Sequence, residues 1–405
     1  MSFYNQIESM PRMNQEVHIP KSIRNVTADK GTIQYKKVLP PTNDFCGQIR
    51  LKPQSSFTTQ GLFSAGSRID YELTFSGFIE QLRLNLMLQV SPTAANPLTV
   101  LGPYLVERIE IDDSNNNPLQ TIYADNIFLQ RIHYDQNKST FENAAEGVNN
   151  TTYLGIGPLA ASTKFELNLN IPCAISDSQM KGGIVEGKIK VSVYFSPFGI
   201  TSGLSTDLLC SSADILQYTS QLSGQLESLE ISKKKNCNLH YRVLSPQRIV
   251  SFNIPNAVAG QFYDIQLVSG NGLSAFIYFV IRPSPVSAAN VQSYIQGASF
   301  EFYNAQMQLE GVTQTPANNR YVVGQKFGGD ILNSPIGGGI YLINFALNIN
   351  SSRDGNQVGL YALSTREILR VTLPLGMPTQ NLILEAYSHD YNELIVKGGR
   401  LSINK

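Results

Sequence analysis

Side chains able to do chemistry are sparse in this chain, and their spacing argues against a reaction centre. Glu107 with Glu110, and Glu385 with Asp390, are the carboxylate pairs that a glycosidase would use as acid and base. Glu107 and Glu110 stand three residues apart in a strand-like stretch, which turns them to opposite faces. Spacing does not place Glu385 against Asp390. Asp112-Asp113-Ser114-Asn115-Asn116-Asn117 offers oxygen ligands but lacks the glycine and terminal glutamate of a calcium loop, so it reads as a hairpin turn. His18, His133, His240 and His389 have no partner at metal-ligand spacing. Gly328-Gly329 and Gly337-Gly338-Gly339 are not followed by the Lys-Ser/Thr of a phosphate loop and read as turns. Lys233-Lys234-Lys235 reads as a solvated turn, and no nucleophile elbow is available for Ser-His-Asp catalysis. The expectation is no enzyme, with no catalytic, cofactor-binding or metal-binding residues.

These residues sit in a duplicated pattern. A shift of 192 residues places Ile49-Arg50-Leu51 on Tyr241-Arg242-Val243, and Tyr71, Leu73 and Phe75 on Tyr263, Ile265 and Leu267. At 191, Leu84 to Val90 falls on Ala275 to Ile281, and Ile109 and Ile111 fall on Phe300 and Phe302. Strand side chains alternate faces, so a slip of one residue would turn every apolar side chain outward. Two halves that keep this phase are two copies of one β-domain. A period this long is a tandem of whole domains, unlike the shorter periods of solenoids and propellers.

At 405 residues the chain is long enough for two or three domains of roughly 100–200 residues, and the duplication selects two. Lys plus Arg equals Asp plus Glu at 31 each, which excludes an overall basic field and predicts no sequence-specific nucleic-acid partner. Charged residues are 15% of the chain against a usual value of about 25%. With 19 Tyr and 19 Phe, that low charge predicts a surface covered in an assembly, because interfaces favour aromatics over Lys and Glu. Met1 to Gln6 lacks the charged and apolar regions of a signal peptide. The longest apolar run, Leu273 to Ile281 interrupted by Ser274, is far short of the ~20 residues of a membrane span. Cys46, Cys173, Cys210 and Cys237 form no CxxC pair and fit buried, reduced thiols of an intracellular product. Sequons at Asn25, Asn137, Asn149, Asn150 and Asn350 follow from a composition rich in Asn, Ser and Thr.

Residues 1–43, with Pro11, Pro20, Pro40 and Pro41 and six basic against three acidic residues, read as a mildly basic N-terminal arm. Strand signals follow at Gln48–Leu51, Arg68–Phe75, Gln81–Val90, Leu105–Ile111, Leu119–Tyr123, Phe165–Ile171 and Ile189–Phe195. Asp125 to Tyr134 has helical spacing, with Asp125 as a cap. The expected organisation is a first jelly roll over 44–198, a packed connector over 199–236 and a second jelly roll over 237–405. In the second copy Ala275–Ile281 reads as a strand buried on both faces, and Asn318–Phe327 takes the place of the first helix. Tyr341–Ile349, Ile368–Leu375, Leu382–Tyr387 and Leu401–Ile403 complete the strands. The fold class is all-β: two tandem eight-stranded jelly rolls with short helices in connecting loops.

Two stretches resemble the double jelly-roll major capsid proteins of tailless icosahedral viruses, the lineage of tectivirus-like phages, adenovirus and large eukaryotic DNA viruses. Tyr104-Leu105-Val106-Glu107-Arg108-Ile109, the Asp/Asn turn and Tyr123-Ala124-Asp125-Asn126-Ile127-Phe128-Leu129-Gln130 are similar to the strand, turn, strand and helix of the tectivirus-type first barrel. Tyr341-Leu342-Ile343-Asn344-Phe345-Ala346-Leu347 with Gly359-Leu360-Tyr361-Ala362-Leu363-Ser364 resembles the aromatic-rich second-barrel segment of the large-DNA-virus members. The resemblance implies a virion structural protein whose homotrimers form pseudo-hexagonal capsomers that tile an icosahedral shell, assembled in the host cytoplasm. It implies as partners further copies of the chain, minor capsid or vertex proteins, and an internal membrane reached by the arm. The other class open to this composition is a trimeric carbohydrate- or receptor-binding β-sandwich, spike or lectin-like, which binds glycan without forming shells.

Overall fold

The computed structural model describes residues 45–73, 78–113, 115–134, 144–149, 151–173, 175, 188–221, 239–267, 272–311, 313–327, 334–345, 360–397 and 400–404. The expected arm, Lys233–Lys235, Cys237, His18 and Gly328-Gly329 lie outside these residues.

Alternating leucines build the first barrel. Its strands are β1 (Phe45–Leu51), β2 (Arg68–Leu73), β3 (Phe78–Val90), β4 (Leu98–Val100), β5 (Val106–Asp112), β6 (Pro118–Tyr123), β7 (Ile156–Leu159), β8 (Lys164–Asn170), β9 (Ile189–Phe195), β10 (Ile200–Ser202) and β11 (Leu208–Gln221), with helix α1 (Ala124–Tyr134) after β6. Two four-stranded sheets, ordered β1-β11-β3-β8 and β2-β9-β5-β6, face each other, and β10-β4-β7 form a small third sheet. Leu82, Leu84, Leu86, Leu88 and Val90 of β3 point into the core between them with Ile69, Tyr71, Ile109, Ile111, Val191 and Val193.

The second barrel repeats the order. Its strands are β12 (Leu239–Ala257), β13 (Phe262–Gln266), β14 (Leu273–Pro283), β15 (Ser299–Tyr303), β16 (Ile340–Asn344), β17 (Tyr361–Ala362), β18 (Ile368–Thr372), β19 (Gln380–Lys397) and β20 (Arg400–Asn404), with α2 (Pro316–Phe327) after the β15 hairpin. Sheet β12-β19-β14-β16 matches β1-β11-β3-β8, and β13-β18-β15 matches β2-β9-β5. Bridges from Phe300 to Gln314 and from Tyr303 to Leu309 stand where β6 pairs with β5 in the first barrel. Ile265, Leu267, Phe300 and Phe302 are buried in the second core, as Leu73, Ile109 and Ile111 are in the first, while Phe75 lies outside the described residues.

The expected bounds of the connector do not match the strands. Residues 208–221, assigned to the connector, form β11, which lies between β1 and β3 at the centre of the first sheet. Its alternation is masked because the register shifts between Cys210 and Ser212, and the inward face then continues through Ala213, Ile215, Gln217 and Thr219, two of them polar. The first barrel therefore extends to residue 221.

The strand at the centre of the second sheet differs in kind from its counterpart. Every residue from Ser274 to Arg282 in β14 is buried. Ile277, Phe279 and Ile281 fill the second barrel, while Phe276, Tyr278 and Val280 face a separate cluster with Leu101, Tyr104, Phe128 and Leu129 of the first barrel. The outer face of β3 carries Gln81, Arg83, Asn85, Met87 and Gln89 instead. The described residues thus form three apolar cores, two inside barrels and one between them.

Candidate functional site: the seam between the barrels

The polar residues that matter most converge at this middle layer. α1 opens with Asn126 Oδ1 accepting the Tyr123 backbone N–H at 3.0 Å, the return half of a capping box. Asn126 Nδ2 donates to the Tyr278 hydroxyl at 2.9 Å and so ties the helix to β14. Asp125, expected as the cap, is turned away from the helix into the seam, towards Arg282 of β14. Arg282 Nη1 donates to Asp125 Oδ1 at 3.1 Å and to the Val291 carbonyl at 2.9 Å, and Nη2 donates to Asp125 Oδ2 at 2.5 Å. Nη2 also donates to Glu385 Oε2. Tyr104 donates to Asp125 Oδ1, and Tyr387 donates to Oδ2 at 2.9 Å.

The side chains of Arg282, Asp125 and Glu385 are 4%, 4% and 11% exposed, so two carboxylates share one guanidinium with little water. Burial opposes the Asp125 anion, but Arg282 and the two phenols outweigh it and hold this carboxyl below its usual range. Burial, and then repulsion from Asp125, push Glu385 above its usual range against the pull of Arg282 and Arg248. Burial beside Asp125 keeps Tyr104, Tyr294 and Tyr387 in their neutral, donating form. Arg248, with Nη1 3.7 Å from Glu385 Oε1, lies over the Tyr123 ring at 3.8 Å. A cavity of about 310 Å³ reaches this cluster between Val106, Tyr123, Phe198, Val286 and Val291.

The carboxylate pairs do not form acid–base sites. Glu385 and Asp390 lie five residues apart on β19, about 17 Å along a strand, which is beyond glycosidase separations. Asp390 is buried and accepts from Ser274 Oγ. Glu107 and Glu110, expected on opposite faces, both accept from Arg108, at 2.7 and 2.8 Å, because the register shifts between Val106 and Arg108. The Asp/Asn segment is a hairpin turn: Asp113 Oδ1 accepts the N–H of Asn115 and of Asn117, both at 2.8 Å. Gly337–Gly339 form a single 3₁₀ turn. His389 is stacked on Phe276 at 4.7 Å, His133 lies in α1 and His240 in β12. Asn149 Oδ1 accepts from the backbones of Thr151 and Thr152 at 3.0 and 3.1 Å, which uses this sequon in a turn. Among the described residues no group of three or more His, Cys, Asp and Glu could hold a metal ion, and no helix is long and apolar enough to cross a membrane.

Other ion pairs lie on the sheets: Arg50 and Lys52 of the β1 side reach the buried Asp214 of β11 at 3.4 and 2.8 Å. Arg68–Asp70 at 2.7 Å, Lys188–Glu72 at 2.9 Å and Arg108 over Tyr194 at 3.8 Å line β2-β9-β5. Arg370–Asp264 at 2.6 Å lines β13-β18-β15. Leu375 is 89% exposed, Tyr321 69%, Leu204 65% and Phe262 60%, the last with the Arg370 guanidinium over its ring at 4.8 Å, so large apolar side chains face solvent on a chain poor in charge.

Asp125, Arg282 and Glu385 were not singled out together from the sequence. One signal was present: Arg282 ends a run of seven apolar residues that read as buried on both faces, where a lone charge requires a partner.

Two barrels of one topology joined along a buried seam define a double jelly-roll chain. Solved structures share it at low identity. The chain is similar to the PBCV-1 virus capsid, with a TM-score of 0.68 at 11% identity over 92% of this chain and 99% of that one. It is similar to the Faustovirus major capsid protein, with 0.59 at 11% over 92% and 96%, and to the mavirus major capsid protein, with 0.53 at 11% over 96% and 95%. No family model and no curated protein matches the sequence.

Proposed function

We propose that this chain is a major capsid protein, a structural subunit of an icosahedral virion shell and not an enzyme. The observation that carries the reading is the whole-length architecture: the likeness to the PBCV-1 capsid chain spans 92% of this one, so it covers both barrels rather than one module. Placement of chemistry supports it. The buried cluster of Asp125, Arg282 and Glu385 joins one barrel to the other, and the carboxylate pairs are apart or bound to arginine.

In this reading three chains form a pseudo-hexagonal capsomer, and capsomers make many contacts of modest individual strength across low-charge faces with exposed Tyr321, Phe262, Leu204 and Leu375. The barrels divide between residues 222 and 238. Residues 1–43 are an arm on the inner side of the shell that meets neighbouring capsomers or an underlying membrane. Minor capsid or vertex proteins are further partners, and the shell assembles in the host cytoplasm.

Light scattering and negative-stain microscopy of the purified chain test this. Hexagonal trimers are expected, and a monodisperse monomer at high concentration overturns the trimer. Deleting residues 1–40 is expected to leave a folded trimer that assembles poorly. A truncated chain that assembles normally removes the arm from the assembly, and one that fails to fold makes it part of a barrel.

A further inference from the structure

The seam holds more negative charge than its buried cation can match. Asp125 takes two guanidinium hydrogen bonds and two phenol hydrogen bonds and is thereby the settled counterion of Arg282. Glu385 receives one guanidinium N–H, and its other oxygen faces Arg248 at 3.7 Å, beyond hydrogen-bond reach. Arg248 is 33% exposed, so water screens it from Glu385 more than the buried Arg282. We propose that the seam is a proton-operated joint: as the pH falls, Glu385 takes up a proton ahead of the ordinary glutamates, and the joint between the barrels tightens when it does.

The neighbours of Glu385 on every packed element point the same way. From α1 comes the anion Asp125, from β14 the shared Arg282, from β12 Arg248, and from β19 itself Tyr387, a neutral donor already given to Asp125. Tyr104 and Tyr294, from the connections before β5 and β15, are bonded to each other at 2.8 Å, and Tyr104 donates to Asp125. At the mouth, Glu107 and Arg108 of β5 are paired at 2.7 Å. His389 shares the face of β19 but lies four residues on, about 13 Å away, stacked on Phe276. Desolvation and Asp125 both disfavour the Glu385 anion, consistent with its raised affinity for protons. The cavity of about 310 Å³ beside it gives water and protons a route to the buried carboxyl. Once Glu385 is neutral, the seam buries one anion against one cation instead of two against one.

The sign follows from linkage. A carboxyl whose folded pKa is raised contributes stability fully present below its unfolded value and lost as pH rises through the folded value. Between the ordinary glutamate range and the raised one, the native chain holds one proton more than the unfolded chain, and its folding constant falls up to about tenfold per pH unit.

The test uses the full, unassembled chain. Urea unfolding across mild acid to neutral pH is expected to show this slope in the wild type and to lose it in Glu385→Gln, and equal slopes overturn the proposal. Infrared titration of wild type carrying labelled glutamate is expected to show one glutamic-acid carbonyl band appearing at higher pH than the rest. In Arg248→Gln that band is expected at still higher pH, because a cation favouring the carboxylate is gone. If Glu385→Gln fails to fold, the infrared arm decides alone: a Glu385 band that comes in with the other glutamates overturns the proposal. Loss of shell assembly counts against the capsid reading, whereas these measurements concern the joint within one chain.

Discussion

Tyr104 and Tyr294 lie 190 residues apart and meet hydroxyl to hydroxyl at 2.8 Å. Tyr104 spends its one hydrogen on Asp125, so Tyr294 is the donor of the pair. Their separation is close to the repeat offset, and each sits in the connection that leads into the fifth or fifteenth strand. The two copies of the duplicated domain therefore touch through near-equivalent side chains, and the contact joins the buried polar cluster of Asp125 and Arg282 at the edge of the apolar layer.

Replacing Arg282 by Met leaves Asp125 and Glu385 buried without their cation. Breaking a buried pair in this way costs roughly 3–5 kcal/mol. Arg370→Met on the outer sheet removes an ion pair whose side chains are 29% and 38% exposed, and is expected to cost at most about 1 kcal/mol. Urea unfolding of the two variants checks the contrast, and equal effects place no special weight on the seam.

Phe300 is 2% exposed and meets Phe279 edge-on at 5.1 Å and Tyr341 at 6.0 Å. Phe300→Ala is expected to cost roughly 3–5 kcal/mol because the opened cavity lies among large rigid rings. Phe262→Ala, at a position 60% exposed, removes little buried area and serves as the control in the same thermal melts.

Cys210 is buried in β11, and desolvation pushes its thiol up to about 12. The native chain is therefore expected to hide Cys210 from a thiol reagent at neutral pH and to expose it on unfolding. Rapid labelling of Cys210 in the folded chain, read by mass spectrometry, contradicts the placement of β11 at the sheet centre.

The fold was legible where one face of a strand is apolar and the other polar. Leu82 to Val90 announces itself by alternation, and Ala275 to Ile281 by its lack of alternation, which reports a second apolar layer outside the barrel. β11 escaped because a bulge changes its parity and its inward face ends in Gln217 and Thr219. β4, β7 and β10 are three or four residues long, too short to carry a period. The seam was largely illegible for another reason. Asp125 and Arg282 are 157 residues apart, and only the docking of two barrels brings them together.

Asp125 sets the acid limit of the joint. Arg282 and two phenols hold its folded pKa below the ordinary aspartate value, so its contribution is fully present above about 3.9 and is lost as pH falls through the lower folded value. Asp125→Asn is expected to remove that limb from the stability curve, while the surface carboxylates paired to Arg68 and Arg370 keep theirs. The same substitution makes Glu385 the main counterion of Arg282 and removes the neighbouring anion that opposes its ionisation. The slope at mild acid is then expected to shrink along with the acid limb, at a cost near neutrality of about 3 kcal/mol, the low end for a broken buried pair. Urea midpoints of wild type and Asp125→Asn across the full pH range check both effects in one data set. If the variant keeps the wild-type slope at mild acid, Asp125 and Glu385 titrate independently, and the two carboxyls are not sharing one arginine in the way their contacts indicate.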